Sequence, residues 1–340
     1  MPTQSNLTME EFARLCGLSR PTLSRYFNDP DSVRAKTQEI IKEAIEKHNY
    51  TPNFLASSLI RGQMKALGIV IPSLIDPFYS ALVNAIEFAA EESGYLTVLQ
   101  SSHNDPRRER RAISRLLSLD VAGIAIAPLG YSSDTDVIMS ARERVPLVIM
   151  DSRLQPDIPY VGTNNDQSVS LMVDYLCRSG PPPALFTMPK MNINVVERQQ
   201  AYCNRMIALG HDPIILNPDD ARIEDDYEKY GFQKFLSLGP KKLEGVKSIL
   251  CPNDRVALGA IAAAGKLGLS VGKGANDDLR IAGHDGQRFG AYTQPELTTV
   301  EQDIRGMGET VAAALLEGTT HAAFSEDIFL DGRFVGRDSA

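Results

Sequence analysis

The sequence feature that most constrains the fold lies near the amino terminus, where residues 8–28 predict two short helices joined by a tight turn. Thr8 is followed three residues later by Glu11, and this capping-box pattern predicts the start of a helix. Gly17 can adopt the left-handed conformation that ends such a helix. Ser19 then predicts the cap of a second helix. Two short helices separated by a glycine turn are typical of a helix-turn-helix unit.

The second helix has one apolar and one polar face. Leu23, Tyr26 and Phe27 lie three and four residues apart and predict its buried face. A short helix whose outer face is polar and cationic suits the major groove of DNA, where an arginine can donate two hydrogen bonds to guanine. An ordinary helical hairpin with a solvated face is the alternative for this stretch taken alone. The side chains that we predict to contact DNA are Ser19, Arg20, Thr22, Ser24, Arg25 and Asn28.

A third helix is predicted from about Arg34 to Lys47. Its apolar residues recur with helical spacing, so three helices can share a small core. Thr8, Arg34 and Lys36 sit at the starts of helices, and we predict that they contact DNA phosphates rather than bases. The predicted inward-facing residues are Ile40, Ile41, Ala44 and Ile45 in the third helix, and Phe12 and Leu15 in the first.

Three short segments resemble the DNA-binding headpiece and hinge of the lactose-repressor family. They are Cys-Gly-Leu-Ser at 16–19, Thr-Leu-Ser-Arg at 22–25 and Asn-Tyr-Thr-Pro-Asn at 49–53. The resemblance implies a homodimer that binds a pseudo-palindromic operator. It also implies a hinge segment at 53–59 that becomes helical only on operator DNA and inserts a leucine into the minor groove. The DNA contacts implied in this hinge are Asn53, Ala56 and the wedge Leu59.

Net charge divides unevenly along the chain. The whole sequence of 340 residues has a formal net charge of −8, whereas residues 1–61 carry eight cations and seven anions, a net charge of +1 that leaves −9 for the rest. Phosphate neutralisation supplies most non-specific DNA affinity, so a headpiece this weakly basic should bind DNA poorly as a monomer. We therefore expect a dimer. We expect no higher association, because no heptad-repeat tail follows the last core elements.

Composition and pattern argue against several other classes of protein. No apolar run reaches the length of a membrane span, and no basic segment followed by an apolar core opens the chain, so we expect a cytoplasmic protein without a membrane partner. The four cysteines lie far apart without metal-ligand spacing and indicate small buried thiols. We expect no metal ion and no cofactor. The cysteines are Cys16, Cys177, Cys203 and Cys251.

From Lys65 onward, short aliphatic runs alternate with amphipathic helical stretches. Near-continuous apolar strands in strand-helix repeats predict parallel sheets covered on both faces. The repeats are too many for one small sheet. Their order resembles the two-lobed, type I periplasmic-binding-protein-like fold that the lactose-repressor family carries behind its headpiece. The predicted strands are Ala66–Ile71, Tyr95–Gln100, Val121–Ala127, Leu147–Asp151, Ala184–Met188, Pro213–Leu216, Ser248–Cys251 and Leu279–Gly283.

We therefore predict a small all-α helix-turn-helix headpiece followed by an α/β two-lobed domain with parallel sheets. The predicted boundaries are a headpiece at 1–51, a hinge helix and linker at 52–64, an effector-binding and dimerisation domain at 65–330, and a carboxyl-terminal tail at 331–340. Within the larger domain, the predicted first lobe comprises about 65–162 and 295–325, and the predicted second lobe about 163–294.

Ligands bind beyond the carboxyl ends of strands in open parallel sheets, so the residues that follow each strand are the candidates for an effector site. A carboxylate accepts hydroxyl hydrogens, a guanidinium donates to hydroxyl oxygens or anions, and an amide does both, which together suits a polyhydroxylated ligand. By resemblance, Arg198, Asn253 and Asp285 match the arginine, asparagine and aspartate that hold effectors in the family. The predicted effector-binding residues are Asp76, Phe78, Arg153, Asn165, Asn192, Asn194, Arg198, Tyr227, Asn253 and Asp285.

Structural interpretations stay open for several of these positions. Phe78 either stacks on a sugar ring or only packs at a helix start, and Arg153 either contacts the ligand or braces the lobe interface. Asp254 is expected to cap a helix rather than to contact the ligand. Either Asp226 or Tyr227 faces the ligand.

These features predict a ligand-responsive transcription factor, a repressor whose operator affinity is controlled by a sugar or sugar derivative. The alternatives are a regulator that responds to a nucleoside or a sugar phosphate, with the effector acting as inducer or corepressor, and a cytoplasmic small-ligand-binding protein. By resemblance, Asn192 and Asn194 occupy positions where a purine-binding member of the family holds an arginine and a threonine against the nucleobase, and neutral amides at both positions favour hydroxyl groups over a purine. An enzyme is disfavoured, because the five histidines are scattered and the sequence contains no Gly-x-Ser-x-Gly elbow.

Overall fold

The computed structural model describes residues 7–51, 64–154, 158–216, 226–318 and 326–340. They belong to two compact units, Met1–Lys65 and Ala66–Ala340. Within the described ranges, no helix is both long enough and apolar enough to cross a membrane.

The first unit is all helical and begins with the capping box that the sequence predicts. The Thr8 hydroxyl accepts the Glu11 N–H at 3.3 Å, and the Glu11 carboxylate accepts the Thr8 N–H at 2.7 Å. Gly17 has a φ of 65° and ends the first helix, and the Ser19 hydroxyl caps the second. The helices are α1 (Met9–Cys16), α2 (Arg20–Asn28) and α3 (Ala35–His48), with a short 3-10 turn at Pro30–Ser32.

The three helices share one small core. Phe12 of α1 and Leu23 of α2 are fully buried, and the Phe12 ring stacks on Tyr50 with a centroid distance of 3.7 Å. The predicted burial of Leu15 and Ile40 is wrong, since they are 50% and 39% exposed. Each lies next in sequence to residues of the buried face, and one residue turns the side chain about 100° around the helix axis.

The first lobe of the second unit is built on a sheet of six strands. Its strands are β1 (Met64–Ile71), β2 (Leu96–Ser101), β3 (Val121–Ile126), β4 (Leu147–Met150), β5 (Tyr160–Thr163) and β11 (Ile328–Leu330), and its helices are α4 (Pro77–Glu92), α5 (Pro106–Ser118), α6 (Thr135–Arg142) and α11 (Ile304–Gly318). The strand order is β11, β5, β4, β3, β1, β2. The pairs β1/β2, β3/β4, β4/β5 and β11/β5 are parallel, as the apolar strand pattern predicts.

The second lobe is built on a smaller parallel sheet. Its strands are β6 (Ala184–Phe186), β7 (Ile214–Leu216), β8 (Ser248–Leu250) and β9 (Arg280–Ala282), in the order β7, β6, β8, β9. An antiparallel pair, β10 (Thr299–Glu301) and β12 (Arg333–Val335), lies beside it. The helices of this lobe are α7 (Asn165–Ser179), α8 (Ile193–Ala208), α9 (Tyr227–Leu243) and α10 (Asp254–Lys266).

Two glycines let α9 and α10 pack closely. A Cβ atom on Gly259 would lie 2.1 Å from the carbonyl oxygen of Glu228, and one on Gly231 would lie 2.3 Å from that of Val256. Any larger residue would therefore force the two helices apart. The close packing brings the start of α9 beside the start of α10, where Glu228 contacts Arg255.

Hydrogen bonds tie together the segments that connect the lobes. Thr163, at the end of β5, donates to the side chain of Gln302, which follows β10. Asn164 donates through its side chain to Asp331 at 2.9 Å and through its backbone N–H to Leu330 at 2.8 Å. These crossing segments are the places where the backbone can absorb a rotation of one lobe against the other.

The carboxyl terminus differs from the tail predicted at 331–340. Arg333–Val335 forms β12, and Ser339 and Ala340 are fully buried. Ser339 accepts the backbone N–H of Ile281 in β9 at 2.9 Å, and Ala340 packs in the core of the second lobe. The tail prediction is wrong for this segment, because it completes the hydrogen bonding of the second lobe.

The predicted share of the first lobe at 295–325 also needs correction. Residues Thr299–Glu301 form β10, which packs on α7 of the second lobe. Val300 lies in the core of that lobe, whereas Met307 of α11 lies in the core of the first. The chain therefore returns to the first lobe only after β10.

Candidate functional site

A polar cavity of about 80 Å³ lies between the two lobes, at the loops and helix starts that follow the strands. Ligand pockets for small molecules typically enclose about 300–1,000 Å³, so this cavity is smaller than a typical ligand pocket. The predicted effector-binding residues that line the cavity are Asp76, Phe78, Asn192, Asn194, Arg198, Tyr227, Asn253 and Asp285. The lining residues that were not predicted from the sequence are Tyr79, Asp151, Met188, Val195, Pro252, Arg255 and Gln302.

Asp285 follows β9 and is the most heavily hydrogen-bonded carboxylate of the cavity. Its Oδ1 atom accepts hydrogen bonds from Gln302 Nε2 at 2.7 Å and from Arg198 Nη1 at 3.2 Å, and it lies 3.1 Å from His284 Nδ1. Burial alone would raise the pKa of Asp285, but the hydrogen bond from His284 and the charge of Arg198 lower it. Among the described residues, no donor contacts Oδ2, so this oxygen can accept a ligand hydroxyl.

Arg198 is held in place by Asn165, which lies behind the cavity wall. Arg198 Nε donates to Asn165 Oδ1 at 2.9 Å. The Asn165 amide nitrogen donates to Glu197 at 2.8 Å and to Asn194 at 3.1 Å. The prediction that Asn165 contacts the effector therefore needs correction, because its amide is buried and positions Arg198 and Asn194 instead.

His284 is a buried residue of the site that the sequence pattern did not single out. Its Nε2 atom lies 2.9 Å from the Ser168 hydroxyl, and its Nδ1 atom lies 3.1 Å from Asp285. Burial and the nearby charge of Arg198 lower the pKa of His284 to about 4. The imidazole is therefore neutral at pH 7 and orients Asp285 without adding charge.

Asp151 follows β4 and connects the two lobes. It has a φ of 67°, accepts the Tyr79 hydroxyl at 2.9 Å, and accepts the Asn194 amide at 3.1 Å. Tyr79 belongs to the first lobe and Asn194 to the second, so separation of the lobes breaks one of these bonds. Burial raises the pKa of Asp151 to about 6.

Asp151→Asn should flatten the pH dependence of the unfolding free energy between about pH 4 and pH 6. In the folded protein the pKa of Asp151 is raised from 3.8 to about 6, so the folded state binds this proton more tightly than the unfolded state. The stabilisation is present below pH 4 and is lost as the pH rises through 6. Between about pH 4 and pH 6, the unfolding free energy of the wild type should fall by on the order of 2 kcal/mol more than that of the variant. Urea titrations at several pH values measure the difference, and parallel profiles would contradict the assignment.

Two asparagines of the cavity cap helices and still offer donors. Asn192 Oδ1 accepts the Val195 N–H at 3.2 Å, and Asn253 Oδ1 accepts the Val256 N–H at 2.8 Å. Within the described part of the chain, their amide NH₂ groups contact no acceptor. They can therefore donate to ligand oxygens.

Asp254 is fully buried and does not cap a helix, contrary to the prediction. Asn253 is the cap of α10. The Asp254 carboxylate instead accepts the Thr299 hydroxyl and the Gln287 N–H, each at 2.6 Å. Burial raises its pKa well above the usual value. Asp254 therefore fixes the loop after β9 to β10.

The structure distinguishes the two candidates at the start of α9. Tyr227 lines the cavity, whereas Asp226 is exposed and caps α9 by accepting the Lys229 N–H at 2.8 Å. Phe78 also lines the cavity but is only 6% exposed, with its ring edge-on to Tyr79. Its packing at the start of α4 limits the ring surface that it can offer to a ligand.

Arg153 lies outside the cavity, and the prediction that it contacts the effector needs correction. Its guanidinium forms an ion pair with Asp327, immediately before β11. Both residues belong to the first lobe. Arg153 therefore braces that lobe rather than the interface between the lobes.

The candidate DNA-contacting face lies on α2. Arg20 and Arg25 are exposed, and Thr22 and Ser24 are half-buried. Arg20 Nε lies 2.9 Å from the Glu10 carboxylate of α1. At the helix starts, Thr8, Ser19, Arg34 and Lys36 are exposed. The Asn28 side chain and residues Asn53, Ala56 and Leu59 lie outside what the structure describes, and their roles stay predictions.

In the part of the chain that the structure describes, the cysteines and acidic residues show no metal-binding arrangement. Cys251 is buried, the other three cysteines are half-buried, and burial raises the pKa of all four thiols. Over the described ranges, no three His, Cys, Asp or Glu side chains come together in a way that could hold a metal ion.

Three family matches cover most of the chain. Residues 8–53 match the lacI family of bacterial regulatory proteins. Residues 67–188 match a periplasmic binding protein domain, and residues 184–340 match a periplasmic binding protein-like domain. The first match falls on α1 to α3, and the other two fall on the two-lobed unit.

Individual proteins are similar to the chain over nearly its whole length. The HTH-type transcriptional repressor PurR of Mannheimia succiniciproducens is 25% identical over 320 residues, 92% of each chain. The Lac repressor bound to ONPG in the repressed state has a TM-score of 0.84 at 27% identity, covering 99% of this chain and 100% of that one. The Lac repressor dimer bound to operator and the anti-inducer ONPF has a TM-score of 0.83 at 27% identity, covering 98% and 99%.

A further solved structure shares the fold of the two-lobed unit. It is a LacI family transcriptional regulator from Enterococcus faecium with bound ribose, which has a TM-score of 0.67 at 22% identity and covers 81% of this chain and 98% of that one.

Proposed function

Since the chain belongs to the lacI family of bacterial regulatory proteins and is a transcriptional repressor, we propose that a small polyhydroxylated effector controls its affinity for operator DNA. The effector is a sugar or sugar derivative that binds in the cavity between the lobes. Like the Lac repressor dimer bound to operator, two copies of this chain bind one operator.

The observation that carries the proposal is the arrangement around Asp285. Arg198 and Gln302 donate to its Oδ1 atom and His284 Nδ1 lies 3.1 Å from the same atom, which leaves Oδ2 as an acceptor for a hydroxyl hydrogen. The amide groups of Asn192 and Asn253 line the same cavity and can donate to hydroxyl oxygens. Acceptors and donors in one small cavity match the alternating O–H and oxygen groups of a sugar.

Effector binding reaches the DNA-binding unit through lobe closure in this proposal. Asp151 and Asn194 contact each other across the lobes, and effector hydroxyls that contact both lobes favour the closed arrangement. If closure changes operator affinity, operator must change effector affinity by the same factor, typically about 1–3 kcal/mol. The sign of the change distinguishes an inducer from a corepressor.

A ligand panel tests the effector class. Thermal melting of the full chain should rise with an uncharged sugar, because a ligand that binds the folded state stabilises it by mass action. Sugar phosphates and nucleosides in the same panel represent the alternative effectors. The sugar that raises the melting temperature should also shift operator titrations, whereas a response confined to nucleosides or sugar phosphates would overturn the sugar proposal.

The hinge contacts at Asn53, Ala56 and Leu59 stay part of the proposal. A leucine wedge between base steps costs about a few kcal/mol of unstacking, which a bent DNA offsets with added contacts. Operator titration of Leu59→Ala should therefore show weaker binding with unchanged effector affinity, and an unchanged operator affinity would argue against the wedge.

A further inference from the structure

Arg255 joins the two lobes within the cavity wall. It lies in the first turn of α10, in the second lobe, and its Nη1 atom lies 3.1 Å from Oδ2 of Asp76 in the first lobe. Its Nε and Nη2 atoms donate to the two carboxylate oxygens of Glu228 at 2.8 and 2.7 Å. The guanidinium also lies 4.9 Å from the centroid of the Tyr227 ring. The Arg255 side chain is only 9% exposed.

The partners of Arg255 are fixed by the fold. Asp76 caps α4 by accepting the Phe78 N–H at 3.0 Å, and the close packing of Gly231 and Gly259 places Glu228 beside the start of α10. Three of the five guanidinium N–H groups donate to carboxylate oxygens of these two residues. Arg255 therefore enters the site with its charge already neutralised.

We propose that the pairing of Arg255 with Asp76 and Glu228 determines effector specificity by excluding anions. The two carboxylates outweigh the single positive charge of the guanidinium, so they repel an anionic ligand that approaches it, and displacement of Asp76 would leave a buried carboxylate unpaired. The second arginine of the cavity, Arg198, is paired with one carboxylate, that of Asp285. The site therefore admits uncharged effectors and rejects phosphorylated or carboxylated ones. This inference rests on the proposed effector site but concerns only the charge of the ligand.

The test is a gain of anion binding, measured with inorganic phosphate as the probe. The double substitution Asp76→Asn and Glu228→Gln removes both negative charges from Arg255, and the asparagine oxygen can still accept the Phe78 N–H. Calorimetric titration of the full-length protein at constant ionic strength should show that the double variant binds phosphate at least about tenfold more tightly than the wild type.

A third substitution is the matched control. Adding Arg255→Met to the double variant removes the cation but keeps a long side chain, and it should return phosphate affinity to the wild-type level. If the wild type and the double variant bound phosphate with equal affinity, the proposal would be overturned. Phosphate binding that persists after Arg255→Met would also overturn it, because the anion would then bind elsewhere.

Two further points make the phosphate result unambiguous: a check that each variant is folded, and its independence from the identity of the effector. Operator binding by each variant reports that the protein is folded. If the double variant does not fold, the two single substitutions decide, since each must strengthen phosphate binding and an affinity equal to wild type overturns the proposal. The phosphate titration uses no sugar, so it stands or falls independently of the sugar panel.

Discussion

Asp285→Ala should abolish the effect of the effector on operator affinity while leaving the effector-free protein able to bind operator. The substitution removes the free Oδ2 acceptor and also the carboxylate that holds Arg198 and Gln302. A hydrogen bond to a charged group contributes about 1.5–3 kcal/mol, so loss of the Asp285 carboxylate should lower effector affinity at least roughly 10-fold. Thermal shift with the responsive sugar and operator titrations with and without it measure the two parts.

Two matched variants serve as controls. One tests whether the charge of Asp285 is needed, and the other tests whether loss of an aspartate outside the site has any effect. Asp285→Asn keeps an oxygen in place but removes the charge, and it should retain part of the effector affinity. Asp212→Ala removes an exposed aspartate of the same lobe and should behave as wild type. An operator response that survives Asp285→Ala would show that the carboxylate is not part of the effector site.

The position of the effector site could be predicted from the sequence for a physical reason. Strands of a parallel sheet end at one edge, so polar residues that follow them come together regardless of their separation along the chain. Asn253 follows β8 and Asp285 follows β9, which are neighbouring strands of the second-lobe sheet, and both residues line the same cavity. The direction of each side chain could not be predicted in this way. Arg153 follows β4 but turns to Asp327, a residue far away in sequence.

The residues that were missed share a different property. Tyr79, Arg255 and Gln302 reach the cavity through contacts that only the packed structure defines, such as the approach of α9 to α10 at Gly259. His284 was one of five scattered histidines in the sequence, and only its neighbours Ser168 and Asp285 identify its role.

The fold was predicted best where local pattern decides the structure. The capping box at Thr8 and the apolar runs of β1 and β3 match the structure, because each is set by residues close in sequence. Strands β10 and β12 have only three residues each, and they pair with each other although they lie far apart in sequence. No local pattern therefore identifies them. The burial of Ala340 likewise depends on a core formed by distant residues.

Arg20→Ala should weaken operator binding by about 1–3 kcal/mol, roughly 5- to 150-fold, and relax the preference at one base pair. Arg20 projects from the first turn of α2, and its guanidinium is paired with Glu10 on the protein surface. An exposed ion pair contributes only about 0–1 kcal/mol, so a guanine edge can replace Glu10 at little cost. Quantitative operator titrations against single-base-pair variants of the operator measure both effects.

Lys36→Ala is the matched control for this assignment. Lys36 is exposed in the first turn of α3, where we predict that its side chain contacts phosphates rather than bases. Its replacement should weaken binding to all operator variants equally and reduce the salt dependence of binding by about one counterion. The loss of discrimination between operator variants should therefore occur in Arg20→Ala and not in Lys36→Ala. If Arg20→Ala weakened every operator variant by the same factor and lowered the salt dependence in the same way, Arg20 would be a phosphate contact and the base-reading role would belong to other residues of α2.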